Sequence, residues 1–398
     1  MHIAMISAHA SPLTGEVEPD EHGRHVGELS AALVRAGHEV TVYTRKASGR
    51  QAAEVCSAQG YRVVHLPAGP AKHVPRDELL PYLGEFTRRL RTRFAEDLPD
   101  VVHSHFWLSG LAAVFVSMAA PMPIVHTFHS LGTTRRRNDE NDPSPVERIR
   151  LERMVGQSVT RVIATSEDEV RELRGMRVTG RHVSVVPRGM DCDRFRPDGP
   201  RLTRRLRCRV VSAGQLAPRT GFADVVEAMT HLPDTELVIA GGPDRERLPQ
   251  DPVACRLREL AERVGVADRV RLVGQVPTER MPELLRSADV AACVPWYEPS
   301  GNEALEAMAC GVPVLATSVG DLADTVVDGA TGVLVPPRRP EKLAAAMRAL
   351  LADPARRDFL GATGRERVEV HHRWDRIARD TADVYEESRD RALTCSVS

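Results

Sequence analysis

The chain has 398 residues, 42% hydrophobic and 27% charged, which is ordinary globular usage and gives room for two or three domains of about 150 residues. Its 54 basic and 55 acidic residues leave a net charge of −1, which excludes a global pull toward nucleic acid or an anionic membrane. Lysine occurs only at Lys46, Lys72 and Lys342, so lysine-imine and pyridoxal phosphate chemistry have almost no candidates.

In chain order, Met1 to Ser7 enters an apolar strand with no basic flank and no small-residue cleavage site, which argues against a signal peptide. Further strands are predicted at Glu39–Thr44, Arg62–Leu66, Val101–His105, Ile124–Phe128, Val162–Thr165 and Val183–Val186. Amphipathic helical patterns fall between them at 22–36, 77–95, 109–119, 145–158 and 167–174. The uncharged stretch Phe106 to Val125 is long enough to span a membrane, but Ser109, Gly110, Pro121 and Pro123 break it. It reads as a buried helix followed by a buried strand. Pro197 to Arg205 reads as a linker, and then the rhythm restarts. Strands at Val210–Ala213, Leu237–Ala240, Val270–Val273, Val290–Val294, Val314–Thr317 and Val333–Val335 alternate with helices near 221–230, 253–264, 278–287, 302–310 and 340–352. Trp374 to Ser388 forms one last amphipathic helix.

Strand, helix, strand in this order means parallel sheets covered on both faces. The expected fold is α/β, with two Rossmann-like, doubly wound domains facing across a cleft. Their expected limits are 1–196 and 197–370, with 371–398 returning to the first. Ligands in open α/β sheets bind at the carboxyl ends of the strands. The cysteines, Cys56, Cys192, Cys208, Cys255, Cys293, Cys310 and Cys395, are scattered and never spaced C-x-x-C, which suits reduced thiols in a cytoplasmic protein.

The strongest local signal runs from Trp296 through Glu298, Ser300, Gly301, Asn302, Glu303 and Glu306 to Pro313. A strand ends before it, and a helix opens near Asn302. Gly301 lets backbone approach a ligand, and the first N–H groups of a helix favour an anion. Two carboxylates flanking such a helix start suit a polyol joined to phosphate. Alternatively Glu298 and Asn302 are simple helix-start residues. Gly241-Gly242-Pro243 and Gly274-Gln275-Val276 also follow strands, and the first is a close-approach loop. His129 ends a strand where an imidazole can hydrogen-bond hydroxyls or steady a developing charge. His103 and His105 share a strand face, and with His126 and His129 they raise the question of a metal. No nearby sequence supplies a closed ligand set, so no metal is expected.

The Trp296–Pro313 stretch resembles the E-x₇-E motif of glycosyltransferase family 4, the retaining nucleotide-sugar enzymes of GT-B fold, with Glu298 and Glu306 at its carboxylates. The resemblance continues through Asp100–Ala112, Thr127–Gly132, Glu147–Glu167, Val183–Phe195 and Thr331–Pro336. It comes nearest to the sucrose-phosphate-synthase-like and inositol-phosphate N-acetylglucosaminyltransferase-like members. It implies a small-molecule donor and acceptor, no resident cofactor or metal, and a UDP- or GDP-linked sugar as co-substrate. No nucleic acid or stable membrane anchor is expected, and a homodimer is compatible with it. Glu298 would meet the donor sugar and Glu306 the ribose, with Ser300, Gly301, Asn302 and Glu303 near phosphate. His129 would line the reacting face. Gly242 would lie at the rim, with Gln275 and Val276 at the nucleobase. Arg76, His105, Phe106, Ser130 and Arg148 fall on the acceptor side, although Phe106 replaces a tyrosine of the inositol-phosphate-using members. Arg135-Arg136-Arg137 is either a lid beside them or a solvated charge run. Asp191-Cys192-Asp193 imitates a D-x-D metal motif but occupies an interdomain loop of this fold.

Three departures fall on the donor diphosphate. Asp20-Glu21 stands where the family has a Gly-Gly loop, and Gln215 and Thr220 replace an Arg and a Lys. A charge pair at 4 Å is worth about 1 kcal/mol in water and roughly 4 at an effective dielectric of 20. Losing two cations therefore removes as much as a thousand-fold in affinity, at about 1.4 kcal/mol per decade. Either Arg219, with Thr220, covers the diphosphate in their place, or the chain is a pseudo-glycosyltransferase that keeps the fold as a sugar-binding or partner subunit.

Overall fold

A computed structural model describes residues 1–13, 21–138, 142–297 and 301–396. By its internal contacts the chain divides into two compact units, Met1–Gly189 with Trp374–Ser398, and Met190–Arg373. The break after Gly189 precedes the expected one at 196/197. Met190 bridges to Arg373, Phe195 belongs to the second unit's core, and Arg365 donates to the carbonyls of Cys192 and Phe195. Pro197–Arg205 is therefore part of the second unit rather than a free tether.

The first unit holds β1 (His2–Ile6), β2 (Glu39–Arg45), β3 (Glu54–Cys56), β4 (Arg62–Leu66), β5 (Val101–His105), β6 (Ile124–Thr127), β7 (Arg161–Ala164) and β8 (Val183–Val185). They lie in the order β3-β4-β2-β1-β5-β6-β7-β8, all parallel except β3, which runs antiparallel to β4. Alternation along β1 shows why the sheet is buried on both sides. Ile3 and Met5 join one apolar cluster with Val26, Leu33 and the tail residues Ile377 and Tyr385. Ala4 and Ile6 join the opposite cluster with Phe86, Trp107 and Leu111. The uncharged stretch after β5 is the helix Trp107–Ser117, followed by β6.

The second unit holds β9 (Cys208–Ala213), β10 (Thr235–Ala240), β11 (Val270–Gly274), β12 (Val290–Cys293), β13 (Val314–Thr317) and β14 (Gly332–Val335). All are parallel, in the order β11-β10-β9-β12-β13-β14. Val210, Leu237 and Ile239 face one core, and Val211, Val238 and Ala240 the other. In each sheet the winding reverses once, between β1 and β5 in the first and between β9 and β12 in the second. Such switch points open a crevice at the carboxyl ends of the strands. Among the described residues, no helix is long and apolar enough to cross a membrane.

Candidate functional site

At the first switch point the loops after β1, β5 and β6 carry His9, Phe106 and His129, and the helix Glu21–Arg35 adds His22 and His25. Phe106 and His129 both adopt left-handed backbone, with φ of 71° and 62°. Such strain in a non-glycine residue costs of order 1–3 kcal/mol and persists only where the surroundings enforce it. His105 Nδ1 lies 3.0 Å from His129 Nε2, and His9 Nε2 lies 3.3 Å from His22 Nδ1. One residue pair deeper, His103 is fixed from both sides, with Nδ1 2.7 Å from Tyr385 Oη and Nε2 2.9 Å from Thr127 Oγ1.

Burial is the main force on these rings. It pushes His9 and His25 down to about 3, and His22, His103, His105 and His129 well below the usual imidazole range. The charge of Arg188 adds to the effect on His22, His25 and His129. The imidazoles are therefore neutral, each with one lone pair to offer. His126 stands apart from the group suggested by sequence: its Nδ1 meets Ser104 Oγ at 2.8 Å, and its ring packs where Gly110 leaves room.

The expected acceptor residues do come together. The Phe106 ring lies under two guanidinium groups, Arg76 at 5.5 Å and Arg148 at 5.1 Å, with the His9 ring 4.7 Å away. Arg148 is fully buried and donates to Glu152 Oε1 at 2.6 Å, Ser144 Oγ at 2.9 Å, and the Ser130 carbonyl at 2.7 Å. It thus sets the position of Ser130. Arg135 and Arg136 are half-buried while Arg137 is exposed, and each has a partner. Arg135 pairs with Asp142 at 3.0 Å, Arg136 donates to the Pro145 carbonyl, and Arg137 pairs with Glu172 at 2.8 Å.

In the second unit, glycines bring the loops after β9, β10 and β11 close together. Gly214 N–H donates to the Ala240 carbonyl, and Gly241 N–H to that of Gly274. A Cβ on Gly241 would fall 1.8 Å from the Gly214 carbonyl oxygen, so any side chain there forces the loops apart. Gly242 has φ 85° and packs on Leu216. Gly301, at φ 60°, caps the helix Asn302–Ala309. Glu303 reaches toward Gly214, where an added Cβ would lie 3.4 Å from its Oε1. Glu306 is half-buried on the same helix, near enough to Cys310 to add to the burial that raises that thiol to about 12. Glu298, Ser300 and Asp20 lie outside the described residues.

The turn after β9 differs from expectation. Thr220 Oγ1 donates to the Ala217 carbonyl at 2.6 Å, and Arg219 Nη2 donates to Gln215 Oε1 at 2.8 Å. The hydroxyl is spent on its own turn, and the arginine is held by the glutamine that replaces the family cation. Gln275 and Val276 line a cavity of about 410 Å³ together with Arg245, Arg271 and Arg280. Asp191 accepts from the Asp193 and Arg194 amides, and Asp193 pairs with Arg373, so the D-x-D look-alike is a turn.

Arg188, His9, His22, His25 and Arg338 carry no motif of their own in the sequence. Arg188 is buried and pairs with Glu21 at 3.0 Å. Arg338 lies 4.3 Å over the Trp296 ring, beside the loop that leads to Glu298. The spacing of His22 and His25, three apart on one helix face, was the available signal.

The family profile "Glycosyltransferase Family 4" matches residues 22–194, and "Glycosyl transferases group 1" matches 207–367. The D-inositol 3-phosphate glycosyltransferase of Xylanimonas cellulosilytica is 35% identical, over 98% of this chain and 97% of that protein. Its namesake in Streptomyces bingchenggensis is 32% identical, over 97% and 89%. Among solved structures, sucrose-phosphate synthase from Thermosynechococcus elongatus matches with a TM-score of 0.85 and 30% identity, over 97% of this chain and 98% of that one. The Anabaena protein HepE, solved with UDP and glucose, matches with a TM-score of 0.74 at 16% identity, over 97% and 99%, and so shares the fold.

Proposed function

This chain belongs to the family 4 glycosyltransferases, of GT-B fold, and from that premise we propose that it moves a sugar, with retention, from a nucleotide-sugar donor to a small phosphorylated or otherwise anionic polyol. An inositol derivative or aminocyclitol is the acceptor class that fits. The carrying observation is the floor formed by Phe106 beneath Arg76 and Arg148, with Ser130 fixed beside it and His129 at the neighbouring strand end. Two cations over an aromatic ring suit an acceptor with a hydroxylated ring and an anionic substituent. The names of the relatives over the full chain support the same class, and they favour turnover over a fold kept only for binding.

On the donor side, the glycine loops at Gly214, Gly241 and Gly242 give backbone room for a diphosphate, and the helix start at Gly301–Glu303 offers N–H groups to it. Glu306 would hold the ribose, and Gln275 and Val276 the base. Glu298 would orient the sugar hydroxyls. The anomeric carbon loses its bond to phosphate oxygen and gains one to the acceptor oxygen, while the acceptor's proton leaves with the diphosphate. His129, neutral and held in strain, would steady the sugar as charge develops. Isothermal titration with UDP, GDP and their sugars tests the reading. Binding of one nucleotide, and transfer to inositol phosphate or an aminocyclitol followed by mass spectrometry, is the expected result. No binding of any nucleotide at millimolar concentration overturns it.

A further inference from the structure

Three imidazoles from separate elements converge in the first unit. His25 comes from the helix Glu21–Arg35, His105 ends β5, and His129 follows β6. One nitrogen of each lies within 4.8 Å of the other two. His105 Nδ1 and His129 Nε2 stand 3.0 Å apart, and the His25 ring meets that of His129 edge-on at 4.9 Å between centroids.

The arrangement is held from outside. His105 turns its other nitrogen to Met5 Sδ at 3.4 Å, which leaves Nδ1 facing the cluster. The left-handed backbone at His129 aims its ring inward, and its buried Nδ1 has no hydrogen-bond partner among the described residues. His103, itself clamped by Tyr385 and Thr127, packs its ring 4.1 Å from that of His105.

We propose that His25, His105 and His129 form a site for one divalent transition-metal ion of the zinc class, with the fourth position open to water or a ligand oxygen. An ion about 2.0–2.1 Å from each nitrogen in tetrahedral array needs the nitrogens roughly 3.3 Å apart. His105 and His129 are already closer than that, and the half-buried His25, whose nitrogen lies within 4.8 Å of theirs, would have to close the remaining gap. An all-nitrogen set selects zinc, cobalt, nickel or copper over magnesium and calcium, which take oxygen ligands. From sequence, the histidines to consider beside His105 and His129 are His103 and His126, and no metal is expected of them. The structure puts His25 in their place.

The site shares His105 and His129 with the acceptor-side and reacting-face roles proposed above, but it does not rest on that reading, and its test needs no nucleotide. Tag-free protein stripped with a chelator is titrated with Co(II), then with Zn(II) in competition. One ion per chain, with visible ligand-field bands displaced by zinc, is expected. His25→Ala should weaken binding at least about 100-fold, beyond the usual loss of a supporting residue, with the circular dichroism spectrum retained. His38→Ala removes the imidazole beside the N-terminal amine, 3.4 Å away, and should leave binding intact. Cu(II) electron paramagnetic resonance of the unmutated protein should show coupling to several imidazole nitrogens. Absence of stoichiometric metal, binding unchanged in His25→Ala, binding lost in His38→Ala, or a copper signal without nitrogen coupling each overturns the site.

Discussion

Arg188 Nη1 stands 3.0 Å from Glu21 Oε1, across 167 residues of sequence. Glu21 is one of the two acids that the resemblance sets against the family's Gly-Gly loop, and Arg188 is a buried cation just past the end of the same unit's last strand. The charge of that acid is therefore met by a positive one. The same guanidinium helps hold His22, His25 and His129 neutral.

Replacing Arg188 with methionine should raise the pKa of His25 from about 3 toward the ordinary imidazole value, because a nearby positive charge disfavours the protonated ring. Glu21 is partly exposed, at 42%, so the stability loss should be modest, about 1–2 kcal/mol. Titration of the imidazole proton resonances reads the shift. An unmoved His25 resonance would show that burial alone sets its state.

Stability should fall steeply as pH drops below 6.5. His9, His25 and His126 have folded pKa values of about 3, and His22, His103, His105 and His129 are also depressed. Between these values and 6.5 the unfolded chain binds protons that the folded chain does not. Each ring then costs up to about 1.4 kcal/mol per pH unit. Urea unfolding at pH 7.5, 6.5 and 5.5 measures this, and a midpoint that does not move contradicts the buried neutral cluster.

Gly241→Ala should lose more than about 2 kcal/mol, since the new methyl group collides with the Gly214 carbonyl in backbone that disfavours a side chain. Nucleotide affinity should fall with it. Gly265→Ala has the same sign of φ but open space around it, and should cost about 1 kcal/mol. Equal melting temperatures for the two variants would remove the argument from loop contact.

Restoring the family cations as Gln215→Arg with Thr220→Lys should tighten UDP or GDP binding by about tenfold or more, the worth of one exposed to half-buried charge pair. Calorimetry on the double variant decides it. Weaker binding would mean that Arg219, held in place by Gln215, had been making the diphosphate contact in the unmutated protein.

Most of the fold could be read because parallel strands buried on both faces are plain apolar runs, as in Ile3–Ile6 and Val290–Cys293. The elements missed are those whose packing is not written in apolar side chains. β3, Glu54–Cys56, is short and polar at an exposed edge. The helix Pro354–His371 buries Leu360, Gly361, Gly364 and Val368, and Gly361 lies so near the Gly311 carbonyl that a Cβ would fall 2.2 Å from it. Glycine there means backbone contact, but in sequence it reads as a helix breaker. At the site, Arg76, Phe106, Ser130 and Arg148 were legible one by one through resemblance. The pairings were not, because Arg188 with Glu21 and Tyr385 with His103 join residues far apart in the chain.

The strut from Tyr385 to His103 also has a consequence for biosynthesis. The second unit is one continuous segment and can mature as it leaves the ribosome. The first must keep part of its sheet waiting, with the cluster of Ile3 and Met5 closed only on the side of the helix Glu21–Arg35, until the helix beginning at Trp374 has been translated. A nascent chain in that interval leaves the tail's share of that apolar face exposed for the whole time the inserted unit takes to be made, which makes it a client for holding chaperones.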